Sequence, residues 1–154
     1  MPVRDAIERE MVLSSPRSEV WAALTTSDGL AGWWADRIDV DARAGGTMRF
    51  HFGDEHGTSD AEIDLFEPED RFAYFWQPFA DLDEAKDYPD LRTRVEFVLT
   101  DHADGTLLRL IETGFAALPN AIAARSLEDN EGGWTAELGH LERYLRTGVA
   151  VVHR

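Results

Sequence analysis

Glu112 is the carboxylate of this chain best placed to do chemistry. It follows Leu108 and Leu110 at intervals of two, and residues at that spacing share one face of an extended strand. Glu112 is therefore expected to point inward near the end of its strand, just before Gly114. Burial would raise its pKa and equip it as a proton donor or general base. The same position suits a rim carboxylate that pairs with an arginine or accepts backbone N–H bonds. On the first reading, Glu112→Gln should raise thermal stability and abolish activity, because it removes a buried charge. Tyr74 and His51 are the other groups available for acid–base work in an apolar pocket. His102, His140 and His153 are scattered, no acid–base pair is visible, and no Gly-rich phosphate loop follows a strand. Catalysis accordingly ranks below binding.

Metal chemistry would centre on His51, Asp54, Glu55 and His56, whose imidazoles and carboxylates are groups that zinc accepts. His51 leaves its strand on the face opposite Phe50, and the other three fall in a hairpin loop. A tetrahedral site needs three or four converging groups, so no metal and no cofactor is expected.

The chain has 30 acidic and 15 basic residues, a net charge of −15. That charge repels phosphate backbones and anionic lipid surfaces, which argues against nucleic acid as a partner. Asp81, Asp83, Glu84, Asp87 and Asp90 form an acidic stretch; solubility is its simplest use, and a basic partner surface the sharper one. No run approaches the roughly 20 apolar residues of a membrane span. The first ten residues carry Arg4, Asp5, Glu8, Arg9 and Glu10 instead of an apolar signal core. Cysteine is absent, compatible with a reducing compartment. A cytoplasmic protein of one domain, residues 1–154 with a core from about 7 to 147, is expected.

The elements that must hold these residues follow from periodicity. Ile7, Arg9, Met11 and Leu13 alternate as one face of a first strand. Ser14-Ser15-Pro16 opens a helix to about Leu24, and Ser27 or Asp28 can cap a short second helix through Trp34. From Arg37 the period becomes two. Arg37 to Val40 is a weak strand; Met48, Phe50 and Phe52 alternate in the next; residues 53–57 form a hairpin loop; Ala61, Ile63 and Leu65 line one face of the following strand. Phe72, Tyr74 and Trp76 share a face opposed by Ala73 and Phe75, so that strand is covered on both sides or meets a partner, and a homodimer is weighed on that ground. Gln77 to Asp90 is a loop, then Leu91 to Thr100 and Thr106 to Glu112 complete an antiparallel meander. Trp134, Leu138, Leu141 and Leu145 recur at intervals of 4, 3 and 4, one stripe of a closing helix. A helix opening at Pro119 should break or bend at Gly132-Gly133, since each Gly costs about 1 kcal/mol relative to Ala.

The ordered pattern Pro16…Val20-Trp21…Leu24-Thr25…Leu30…Trp33-Trp34, Gly45-Gly46 before a Phe-rich strand, Glu112-Thr113-Gly114-Phe115, and Gly133-Trp134…Leu138…Leu141…Tyr144-Leu145 resembles the activator of Hsp90 ATPase homologue family. That family lies within the START-like, or SRPBCC, superfamily. The resemblance covers about Ile7 to Leu145 and implies an α+β helix-grip fold. In it, a curved antiparallel sheet of six or seven strands wraps a long C-terminal helix, two short helices follow the first strand, and a cavity lies between sheet and helix. The chain lacks the Asn-rich, Trp-containing N-terminal signature of the eukaryotic activators, so the chaperone activity and any stress-response role stay with the resemblance.

On such a fold the inward face would carry Met48, Phe50, Ile63, Tyr74, Trp76, Val95, Phe97, Leu108, Leu110, Trp134, Leu138 and Leu141. They either fill the core or line an aromatic cavity for a hydrophobic small molecule. Of the neighbours Trp33 and Trp34, one indole can enter the core while the other sits at the cavity mouth or on the surface. A bulky plug for one end of the sheet is the simpler use, and Trp34 is the one counted with the ligand-binding residues. Three readings remain open: a binding module without catalysis, which leads; a co-chaperone-like protein contacting a chaperone ATPase; and a cyclase, lyase or hydrolase using Glu112.

Overall fold

Strand β1, Ala6–Leu13, keeps the expected period of two, with Ile7 and Leu13 fully buried and Val12 turned to solvent. The computed structural model describes residues 3–35, 37–51, 58–78 and 87–151. After β1 come helices α1 (Arg17–Thr25) and α2 (Ser27–Ala31). Strands β2 (Arg37–Val40), β3 (Thr47–His51), β4 (Thr58–Glu67), β5 (Arg71–Trp76), β6 (Thr93–His102) and β7 (Gly105–Thr113) follow, and helix α3 (Asn120–Thr147) closes the chain. The strands form one antiparallel sheet in the order β1-β7-β6-β5-β4-β3-β2. Strands β2 to β7 are a meander, and β1 joins at the far edge beside β7. The chain therefore crosses from one sheet edge to the other between β1 and β2, and α1 with α2 make that crossing. The result is a curved α+β sheet with a long C-terminal helix.

Three local expectations need correction. The cap of α2 is Thr26, whose hydroxyl accepts from the Gly29 N–H at 2.9 Å, in place of Ser27 or Asp28, and the helix ends at Ala31. In β4 the register slips between Ile63 and Leu65, a bulge that returns Phe66 opposite Phe72. A one-residue slip exchanges the faces, so Phe66 packs on Trp21 and Phe72 at 5.3 and 6.0 Å while Leu65 leaves the inward row. Helix α3, finally, runs unbroken for 28 residues through Gly132 and Gly133. Burial of Trp134, Leu138 and Leu141 beyond the two glycines supplies roughly 1.5–3 kcal/mol per large apolar side chain, which outweighs their propensity cost.

The core fills the space between the inward face of the sheet and α3. Phe50, Ile63, Phe72, Tyr74, Val95, Phe97, Leu108 and Leu110 are each at most 1% exposed. The other face is polar: Arg49–Asp60 and Arg94–Asp64 pair across strands at 2.8 and 3.0 Å, and exposed pairs of this kind contribute little to stability. Arg94 and Glu96 thus lie on the solvated side, as their parity predicts.

Candidate functional site

The register of four strand pairs brings Ile7, Glu112, Val95, Tyr74 and Ile63 into one row across the inward face. Glu112 is the one ionisable carboxylate of that row and is wholly buried. Its parity and direction are those its spacing predicts; its partners were not legible. Carboxylate oxygen Oε2 accepts from Thr93 Oγ1 at 2.6 Å and from Trp76 Nε1 at 2.8 Å. Oε1 accepts from Trp134 Nε1 at 2.8 Å. Asn130 Nδ2 donates to both oxygens, at 3.3 and 3.2 Å. Trp76 and Thr93 face each other on β5 and β6, and Asn130 and Trp134 lie four residues apart on α3, hence on one helical face. Two donors come from the sheet and two from the helix. The carboxylate is a polar rivet between the layers of the grip.

The pKa of Glu112 is raised, because burial pushes it up by more than its Thr93, Trp134, Trp76 and Asn130 donors pull it down. Donors aimed at both oxygens hold the group as an acceptor, a poor arrangement for a proton donor. Tyr74 stands two strands away in the same row. Its pKa is raised well above the usual value, first by burial and then by the Glu112 charge, and its hydroxyl is buried without a hydrogen-bond partner.

Above this rivet lies a small, partly open dent of about 70 Å³ bordered by Trp34, Trp76, Asn130, Gly133, Trp134 and Glu137. Three indoles converge on it: ring centroids are 5.6 Å apart for Trp34 and Trp76, 5.4 Å for Trp34 and Trp134, and 5.8 Å for Trp76 and Trp134. Trp34 reaches it from the turn after α2 and is half-buried, whereas Trp33 is buried, stacks on Trp34 at 5.3 Å and donates from Nε1 to the Ala23 carbonyl at 2.8 Å. Trp33 thus enters the core and Trp34 reaches the dent. Of the predicted lining, Trp34, Trp76 and Trp134 border the dent. Met48, Phe50, Ile63, Tyr74, Phe97, Leu110, Leu138 and Leu141 are packed in the core beneath it. The dent is well below the roughly 300–1,000 Å³ of pockets that enclose a drug-sized ligand.

Glu137 and Asn130 were missed in the sequence, though a signal existed. Glu137 lies three residues after Trp134 and four before Leu141, on the edge of the apolar stripe. Its Oε2 is buried without a partner, while Oε1 lies 3.4 Å from His140 Nδ1. Burial raises its pKa from 4.5 to about 7. The folded state thus binds a proton that the unfolded state has released between pH 4.5 and about 7. Stability should fall as pH rises through that window and level off above it. Glu137→Gln should flatten this dependence and, discounting for solvent at a rim position, gain about 1 kcal/mol at pH 8, or about 2–4 °C. Melting curves at pH 5 and pH 8 check this; an unchanged pH slope in the variant would remove Glu137 as its source.

The remaining candidate residues scatter over the molecule. His51 bonds Asp39 at 2.9 Å between β3 and β2, while Asp54, Glu55, His56 and Phe52 lie outside the described residues. His102 Nδ1 accepts the Asp104 N–H at 3.1 Å in the β6–β7 turn, and His153 lies outside the described residues. Of the acidic stretch, Asp87 and Asp90 are exposed, and Asp81, Asp83 and Glu84 lie outside the described residues. Among those described, no helix is long and apolar enough to cross a membrane.

No curated protein matches the chain significantly, but solved structures do. Protein MLL2253 from Mesorhizobium loti superposes with a TM-score of 0.76 at 27% identity, covering 92% of this chain and 98% of that one. DynU16, from the dynemicin biosynthetic locus, gives 0.73 at 26% identity over 96% of this chain, which spans only 49% of that one. The Aha1 dimer from Colwellia psychrerythraea shares the fold with a TM-score of 0.73 at 21% identity, covering 94% and 98% of the two chains. The sequence profile described as Activator of Hsp90 ATPase homolog 1-like protein matches residues 14–146, and the chain belongs to that family.

Proposed function

We propose that this protein is a binding domain that takes an aromatic or apolar group of a small molecule at the dent between α3 and the sheet. The convergence of Trp34, Trp76 and Trp134 on a partly open space carries the reading. Indoles offer a large apolar surface with one polar edge, and here the N–H groups of Trp76 and Trp134 are spent on Glu112, so these two rings offer the dent apolar surface. Glu112 supports the site by fixing these rings, and with both oxygens engaged it has none free for acid–base chemistry.

Gly133 is part of the same design. A Cβ at Gly132 or Gly133 would meet nothing within 4 Å, and both positions are exposed. Each Gly→Ala change should stabilise α3 by about 0.5–1 kcal/mol. Gly133 alone borders the dent, so only Gly133→Ala should weaken binding, by about threefold or more for a lost fit of this kind. The test is titration of a panel of one-ring aromatic compounds, of either charge or none, followed through indole N–H resonances. Perturbed Trp34, Trp76 and Trp134 signals, lost in Gly133→Ala and kept in Gly132→Ala, are expected. Silence at those three indoles throughout the panel would overturn the reading. Family membership favours a second reading, a surface contact with a chaperone ATPase, which an ATPase stimulation assay would decide.

A further inference from the structure

We propose that the group held at this dent is a protonated amine carried on a small aromatic or apolar body, with its ammonium set between Glu137 and the indole faces. The inference rests on the binding reading above and narrows its ligand class. Four observations lead to it. Glu137 borders the dent, and its Oε2 is out of solvent with no hydrogen-bond donor. Of the side-chain donors bordering the dent, Trp76, Trp134 and Asn130 all donate to Glu112, and His140 Nδ1 lies 3.4 Å from the other Glu137 oxygen, Oε1. Among the described residues, those bordering the dent include no lysine or arginine, and Glu137 is the carboxylate there. Three indole rings border it, and the face of an indole attracts cations through its quadrupole.

A bound ammonium answers each of these at once. It draws the Glu137 carboxylate round to the dent and donates to the oxygen that lacked a partner, it offsets the burial that pushes the Glu137 pKa up to about 7, and it lies against ring faces that favour positive charge. A neutral hydroxyl would supply the hydrogen bond without the charge, and a carboxylate would meet Glu137 as a like charge. The chain's net charge of −15 works in the same direction over longer range, drawing cations and repelling anions.

The experiment compares phenethylamine, 2-phenylethanol and phenylacetate at neutral pH. They share one ring and a two-carbon tether and differ chiefly in headgroup charge. Titrations followed at the Trp76 and Trp134 indole N–H resonances, with calorimetry, should give binding about tenfold or more tighter for the amine than for the alcohol, and none for phenylacetate. In Glu137→Gln the amine preference should shrink to about twofold or less, with the alcohol unaffected. That variant removes a largely buried carboxylate with one unpartnered oxygen and should fold at least as well as the parent. Equal binding of amine and alcohol to the parent, or an amine preference that survives in Glu137→Gln, would overturn this inference and leave the aromatic site standing. Binding by none of the three would overturn both.

Discussion

Replacing Glu112 with alanine should lower the free energy of unfolding by about 3–5 kcal/mol, roughly 6–20 °C in melting temperature for a chain of this size. The loss comes less from the carboxylate than from what it leaves behind. Trp76 Nε1, Trp134 Nε1, Thr93 Oγ1 and Asn130 Nδ2 all donate to it. A buried donor stripped of its acceptor costs about 1–3 kcal/mol. Glu112→Gln is the sharper test, because two physical arguments give it opposite signs. Removing a buried charge predicts a gain, the expectation drawn from sequence. The donor geometry predicts a loss of about 1–3 kcal/mol, since an amide presents one acceptor oxygen and turns an NH₂ toward N–H groups. With donors from both sheet and helix converging on the side chain, the loss should prevail. Denaturant unfolding settles the sign; a stabilised Gln variant would mean that desolvation dominates over all four donors.

The second large effect is expected at Trp134. Its ring lies 5.4 to 5.9 Å from those of Trp34, Trp76 and Phe97, and its N–H reaches Glu112. Trp134→Ala removes the wedge and the donor together and should cost about 3–5 kcal/mol. Trp134→Phe keeps most of the apolar area and loses the donor, so about 1–2 kcal/mol is expected. Combining Trp134→Phe with Glu112→Gln closes a cycle whose coupling should be about 0.5–3 kcal/mol, as for residues sharing one hydrogen-bond network. Additivity within about 0.3 kcal/mol would show that the bond between them contributes nothing to holding α3 on the sheet.

Much of the architecture was legible because it depends on local periodicity. The alternation of Ile7 to Leu13, of Phe72 to Trp76 and of Leu108 to Glu112 placed each residue on its observed face, and the stripe of Trp134, Leu138 and Leu141 is the buried face of α3. Errors arose where a neighbour decides. The bulge beyond Ile63 exchanged Leu65 for Phe66 because Trp21 and Phe72 offer an aromatic contact that strand parity cannot register. The glycine pair did not break α3 because packing on both sides of it outweighs propensity.

The candidate site divides in the same way. Sequence alone put Glu112 inside, separated the directions of Trp33 and Trp34, and set Trp76 and Trp134 on the apolar faces, because strand and helix periods fix the direction of a side chain. It could not supply the convergence: Thr93, Trp76, Asn130 and Trp134 come from β6, β5 and α3, and only the sheet register and the seating of the helix bring their donors to one carboxylate. Nor could it show that most of the apolar face is packed solid, or that Glu137 keeps an unpartnered oxygen beside three indoles. Direction is a property of the local backbone. Distance and vacancy depend on how separate elements pack, and tertiary structure alone decides those.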